Sequence, residues 1–209
     1  MRYQCTLFLA LALAVAACED DDPAAPIANS ASQAYEIKFE QGAANGWFGG
    51  DSRPTFSSRT VGNGCSVLIG ASIVLESFSF HFERAFYVAP NTGDTGHAVT
   101  LMLNVRDATG VILKTVQLDL PSSYSGGWAT WTGIDMNVDA GTTLIFTTYL
   151  VGAYDSNQVT SGANGDVAAG YAGGVRYTKE STSDAAMEDW ADWNEHPWDT
   201  WFWLQGTTR

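Results

Sequence analysis

The chain has 209 residues, a formal net charge of −13, 45% hydrophobic residues and 21 glycines. That length suffices for one domain with a substantial core, and so acidic a surface is repelled by phosphate backbones, which argues against a nucleic-acid partner. Of the three cysteines, Cys5 and Cys18 belong to the N-terminal region, leaving Cys65 as the one ordinary thiol and excluding a disulfide framework.

The first segment carries Arg2 and then an apolar run, Leu7 to Ala17, that stops at Cys18. A basic start followed by a short apolar stretch has the form of an export signal; a membrane-spanning helix needs about 20 apolar residues. The end of the run, Val15-Ala16-Ala17-Cys18, resembles the bacterial lipobox. The resemblance implies that residues 1–17 are a lipoprotein signal peptide, that the Cys18 thiol receives a diacylglyceryl group, and that cleavage leaves Cys18 as an acylated first residue. Several acyl chains on one residue make a stable anchor, since each buried methylene contributes roughly 0.8 kcal/mol. The membrane, reached through this lipid, is therefore the first expected partner.

After Cys18 come Glu19, Asp20, Asp21 and Asp22, then Pro23 and Pro26 within an Ala-rich polar stretch. Residues 18–33 are too acidic and Pro/Ala-rich to pack, so they read as a flexible tether. An acidic run directly after a lipidated cysteine resembles a signal for transport to the cell exterior. It implies the outer-membrane or cell-surface side of a bacterial envelope rather than the inner membrane.

Residues 34–209 form the expected domain, and their dominant period is two, the mark of half-buried strands. Tyr35, Ile37 and Phe39 alternate with Glu36, Lys38 and Glu40; Phe78, Phe80 and Phe82 alternate with Ser79 and His81; Val99, Leu101, Leu103 and Val105 repeat the pattern. Asp107-Ala108-Thr109-Gly110 then predicts a hairpin turn before Val116, Leu118 and Leu120. Ile134, Met136 and Val138 alternate next, Asp139-Ala140-Gly141 turns the chain, and Leu144 to Val151 predicts a central strand with bulky residues on both faces. Ala186, Met187, Trp190 and Trp193 recur at spacings of three and four, predicting one short helix near residues 183–194.

The expectation is thus an all-β fold, an antiparallel β-sandwich of jelly-roll-like form. The Asp107–Gly110 hairpin, Ala140 to Phe146, Tyr171 to Gly174 and the closing Trp198 to Gly206 resemble the β-sandwich domains of exported bacterial surface proteins. Such domains often accompany carbohydrate recognition or cell-surface attachment, and that is what the resemblance implies.

The most unusual segment runs from Trp190 to Trp203 and holds Trp190, Trp193, Trp198, Trp201 and Trp203. Indoles stack on the apolar faces of sugar rings while acidic and amide groups bond to hydroxyls. On that chemistry the candidate ligand-binding residues are Trp190, Trp193, Trp198, Asp192, Asn194, Glu195 and Asp199. Trp201 and Trp203 share one face of a last strand, opposite Phe202 and Leu204, and read as core or sheet-face residues; Trp47, Trp128 and Trp131 flank Gly-rich turns and could extend a binding rim.

His81, His97 and His196 have no metal-ligand spacing. Asp155, Asn157 and Asp166 lie in polar loops able to offer oxygens to a structural calcium, the one cofactor to be considered, but they match no EF-hand loop and read first as turn residues. No catalytic residues stand out: there is no Glu-x-Asp-x-x-Glu strand pattern, nucleophile elbow or phosphate-binding glycine loop. The expected function is therefore a non-catalytic binding module on a lipid anchor, for carbohydrate or another cell-surface ligand. A structural or assembly lipoprotein of the envelope and a glycoside hydrolase-like enzyme are the alternatives.

Overall fold

The computed structural model describes residues 31–40, 60–83, 85–88, 96–152, 159–160, 165–166, 171–181, 183–196 and 199–209. Cys18, residues 19–30 of the expected tether, Trp47, Asp155, Asn157 and Trp198 lie outside them, whereas Gln33, the tether's expected last residue, is fastened to Thr208, donating from its N to Thr208 Oγ1 at 2.9 Å and accepting from Thr208 N at 2.8 Å. Two antiparallel sheets carry the domain. Strands β1 (Ala34–Phe39), β3 (Ile73–Phe82), β7 (Gly127–Val138) and β14 (Phe202–Thr208) form a four-stranded sheet in the order β1-β14-β3-β7. Strands β2 (Thr60–Leu68), β5 (Val99–Arg106), β6 (Ile112–Leu120), β8 (Thr143–Leu150), β11 (Arg176–Ser181) and β12 (Asn194–His196) form a six-stranded sheet in the order β12-β11-β2-β8-β5-β6. Two short pairs, β4 (Tyr87–Val88) with β9 (Val159–Thr160) and β10 (Gly165–Asp166) with β13 (Asp199–Thr200), complete the strands.

The period-two runs place their apolar sets between the sheets. Phe78, Phe80 and Phe82 of β3 are buried, as are Phe202 and Leu204 of β14. From the other sheet Leu103, Val105 and Phe146 meet them. Phe78 and Phe146 stack at 3.9 Å between ring centroids with an interplanar angle of 3°, joining β3 of one sheet to β8 of the other. Each buried phenyl of this kind contributes roughly 1.5–3 kcal/mol. The architecture is the expected all-β sandwich, and β8 lies between β2 and β5; Leu144, Phe146 and Leu150 of its inner face pack in the core, while Thr147 and Tyr149 of its outer face are buried against Arg106 and Glu188. Cys65 is fully buried in the same core.

Turn chemistry holds where it was expected. The Asp107 carboxylate accepts hydrogen bonds from Thr109 N, Thr109 Oγ1 and Val111 N, and Gly110 takes φ = 89°. These bonds hold the Asp107 carboxyl below its usual range, the Thr109 side chain being the main cause. The helix is much shorter than its spacing implied: α1 covers Asp184–Glu188 only. Ser183 caps its start by accepting from Ala186 N. Asp189 is already extended, Asp192 adopts φ = 64°, and Asn194–His196 pairs with β11 as β12, so the helical spacing ends in a sheet edge.

Candidate functional site

The outer face of the four-stranded sheet collects a set of aromatic and charged side chains through register alone. Lys38 of β1 pairs with Trp203 of β14, Trp203 with Ser79 of β3, and Ser79 with Thr130 of β7. The flanking row, Phe39, Phe202, Phe80 and Ala129, is buried, so the Lys38 row must point outward. Two residues along β3, His81 pairs with Trp128 of β7 on the same outward side. Trp201, just before β14, brings its ring to 5.4 Å from that of His81.

The rings form a continuous cluster. His81 and Trp128 lie 5.0 Å apart edge to face, and Trp128 and Trp203 lie 6.1 Å apart at 69°. The Lys38 ammonium sits 5.2 Å from the centroids of both Trp128 and Trp203, and Glu40 holds it at 2.6 Å. Beside them the Ser79 and Thr130 hydroxyls bond to each other at 2.9 Å, and Ser77 Oγ donates to Gln205 Oε1 at 3.3 Å. Burial pushes the His81 imidazole below its ordinary pKa; Glu40 opposes that shift and Lys38 adds to it. The Trp203 Nε1–H is shielded from water and has no acceptor among the described residues.

The charged contacts of this face add little to stability. A half-exposed cation–π contact is worth about 0.5–1 kcal/mol and an exposed ion pair about 0–1 kcal/mol. An unmet buried donor costs about 1–3 kcal/mol, which cancels most of that gain. Trp128, Trp201 and Trp203 are all only half-buried, so a good part of the burial energy of three indoles is left unused. What the face offers is ring surface flanked by hydroxyl, amide and charged groups. Trp131 is not part of it: three residues from Trp128 on the same strand, it points inward and is fully buried, which corrects its expected place on a rim.

The residues singled out in sequence divide as follows. Trp190 and Trp193 stack at 6.0 Å, and Trp190 meets Tyr177 edge to face at 5.1 Å. Both lie half-buried over the outer face of the six-stranded sheet, where glycines make room for them. A Cβ on Gly62 would come within 2.7 Å of Trp193 Cη2, and one on Gly110 within 2.0 Å of Trp190 Cγ.

Two buried cations fasten this segment to the sheet. Arg106 donates to Gly110 O at 2.8 Å, Glu188 O at 2.7 Å, Met187 O at 3.3 Å and Thr147 Oγ1 at 3.1 Å, with its guanidinium 5.4 Å from the Trp190 ring. Lys179 donates to Asp189 O and Ala191 O. Burial is the main cause lowering the pKa of both cations.

Asp192, Asn194 and Glu195 are exposed at the same corner. Burial first, and Glu195 second, pushes the Tyr177 hydroxyl upward. Asp199 belongs to β13, whose backbone pairs with Asp166 of β10. The structure therefore gathers Trp190, Trp193, Asp192, Asn194 and Glu195 at one corner and Trp203 and Trp128 on a separate sheet face, with Trp201 packed between His81 and the core. Among the described residues no group of three His, Cys, Asp or Glu side chains is placed to hold a metal ion. Nor is any helix among them long and apolar enough to cross a membrane.

The fold and this face define a β-sandwich domain with an aromatic outer sheet. No family model matches the chain, and no curated protein matches it. Among solved structures it is similar to the crystal structure of the cysteine protease and lectin-like domains of Cwp84, a surface layer associated protein of Clostridium difficile. The identity is 12% and the TM-score 0.47, over 87% of this chain and 37% of that one. The chain thus spans well under half the length of that structure. At that level the likeness says nothing about this chain's chemistry.

Proposed function

We propose that this protein is a non-catalytic recognition module that binds a saccharide on the outer face of the four-stranded sheet, displayed beside a bacterial membrane by the lipid on Cys18. The observation that carries the reading is the alignment of Trp128, Trp203 and His81 on one outward face, with Trp201 against His81 and with Ser79, Thr130 and Gln205 between and beside them. Ring faces supply contact with the apolar side of a sugar, and the interspersed polar groups meet its hydroxyls. Because the rings stand at 69° rather than coplanar, the face suits a single bent saccharide chain rather than a flat crystalline surface. The Trp190 and Trp193 rings are occupied against Gly62, Gly110 and Tyr177, which supports packing as their main role.

A glycan array with the wild type, Trp128→Ala, Trp203→Ala and Trp193→Ala tests the site. Binding lost in the first two variants and kept in the third is expected. Loss in Trp193→Ala alone moves the site to the corner beside α1, and no glycan binding by the wild type removes the proposal. Mass spectrometry of the protein from membranes tests the anchor, since a start at any residue other than an acylated Cys18 would leave it without one.

A further inference from the structure

Resting on that reading of the sheet face, we infer that the saccharide it takes carries a positive charge: an amino sugar whose ammonium replaces that of Lys38 between Trp128 and Trp203. The face already holds a cation in that position. Lys38 Nζ lies 5.2 Å from each ring centroid, and the Glu40 carboxylate stands 2.6 Å from it as counter-charge. Two indoles and a carboxylate around one ammonium make up the elements of a cation receptor, in which the ring quadrupoles attract the charge and the anion balances it.

Lys38 is a replaceable occupant. Its side chain remains 37% exposed and that of Glu40 39%, so the stem can swing into water without leaving a buried charge behind. Exposed pairs of this kind are held weakly, and a cationic ligand that also stacks on the rings replaces the contacts Lys38 gives up and adds its own.

Charge complementarity points the same way. The chain has 23 acidic residues against 10 basic ones, so its field draws cations to the surface and repels acidic polysaccharides. An acidic sugar would also have to separate Lys38 from Glu40 and place a second carboxylate beside it. A neutral sugar would leave the Lys38–Glu40 pair untouched and gain nothing from it.

The test is isothermal titration of the full mature domain with three oligosaccharides of equal length: trimethylated glucosamine, whose charge does not depend on pH, N-acetylglucosamine and galacturonic acid. The expected order has the cationic oligomer tightest and the acidic oligomer weakest. Lys38→Met, an exposed substitution that vacates the cation position, tightens the cationic oligomer by roughly fivefold or more, as two partly exposed cation–π contacts no longer traded against those of Lys38 provide. Glu40→Gln weakens the cationic oligomer selectively.

If the N-acetylated or acidic oligomer binds as tightly as the cationic one, or if Lys38→Met weakens the cationic oligomer, the amino-sugar assignment is overturned while saccharide binding by this face stands. If none of the three binds and the array is also blank, both fail together.

Discussion

Replacing Arg106 by methionine removes the clamp that holds α1 and the Trp190 segment on the six-stranded sheet while keeping an unbranched apolar stem of similar reach. The side chain makes four hydrogen bonds, and the acceptors differ in what they can recover. Glu188 is exposed, so its carbonyl can turn to water; Gly110, Met187 and Thr147 are buried and cannot. A buried acceptor left unmet costs about 1–3 kcal/mol, and the lost contact with Trp190 adds up to about 1 kcal/mol. Relief of the desolvation that the buried cation suffers offsets part of the sum.

The expected loss is therefore about 3–4 kcal/mol, large against the roughly 5–15 kcal/mol stability of a domain but short of unfolding it. In urea denaturation followed by tryptophan fluorescence, a slope of about 2 kcal/mol/M converts this to a midpoint lower by roughly 1.5–2 M. Arg106→Lys should recover less than half, because an ammonium cannot span carbonyls from two segments as the guanidinium fork does. A loss below about 1 kcal/mol for Arg106→Met would refute the clamp.

Three further outcomes follow from the packing and the titrating groups. Gly110→Ala places a Cβ within 2.0 Å of the Trp190 ring at a residue with φ = 89°, so a loss above about 2 kcal/mol with red-shifted tryptophan emission is expected; a neutral effect would contradict the close approach. Trp203→Phe keeps a ring on the sheet face and deletes the unmet Nε1–H, so thermal stability should stay within about 1 kcal/mol of wild type, and a loss above about 2 kcal/mol would reveal a partner for that nitrogen.

The third concerns pH. Burial lowers the pKa of both His81 and His196 in the folded state, so the unfolded chain binds protons first. Their contribution to stability is complete above the ordinary histidine value of about 6.5 and is lost as pH falls from there through the folded values. Unfolding free energy measured from pH 7.5 to 5 should decline, and a His81→Asn, His196→Asn double variant should flatten the decline. A rise in stability over that interval would reverse the sign of the argument.

The strand frame was legible because alternation is a local signal with one physical cause, a face in the core and a face outside. Phe78, Phe80 and Phe82 needed no partner to be assigned to one side, and Asp107 with Gly110 fixed a turn by their own backbone chemistry. The helix near Trp190 was overestimated for the same local reason: the spacing of Met187, Trp190 and Trp193 fits a helix face, but what receives these side chains is space left by Gly62 of β2 and by Gly110 in the turn between β5 and β6. The aromatic sheet face was harder to find. Alternation placed Trp201 and Trp203 opposite Phe202 and Leu204, yet only the pairing of Lys38 with Trp203 and of His81 with Trp128 shows what stands beside them. Those pairs join residues far apart in the chain, and a register of that range leaves no trace in the period. Trp128 and Trp131 looked alike as tryptophans near a turn, but an odd spacing on a strand sends one outward and the other into the core.

The indole N–H resonances of the isotopically labelled domain report whether a saccharide occupies the outer face of the four-stranded sheet. Addition of the glycan selected on the array should shift the signals of Trp128, Trp201 and Trp203 in a saturable way while Trp131, Trp190 and Trp193 stay in place. Saturable shifts confined to Trp190 and Trp193, with the sheet-face indoles unmoved, would contradict that occupancy.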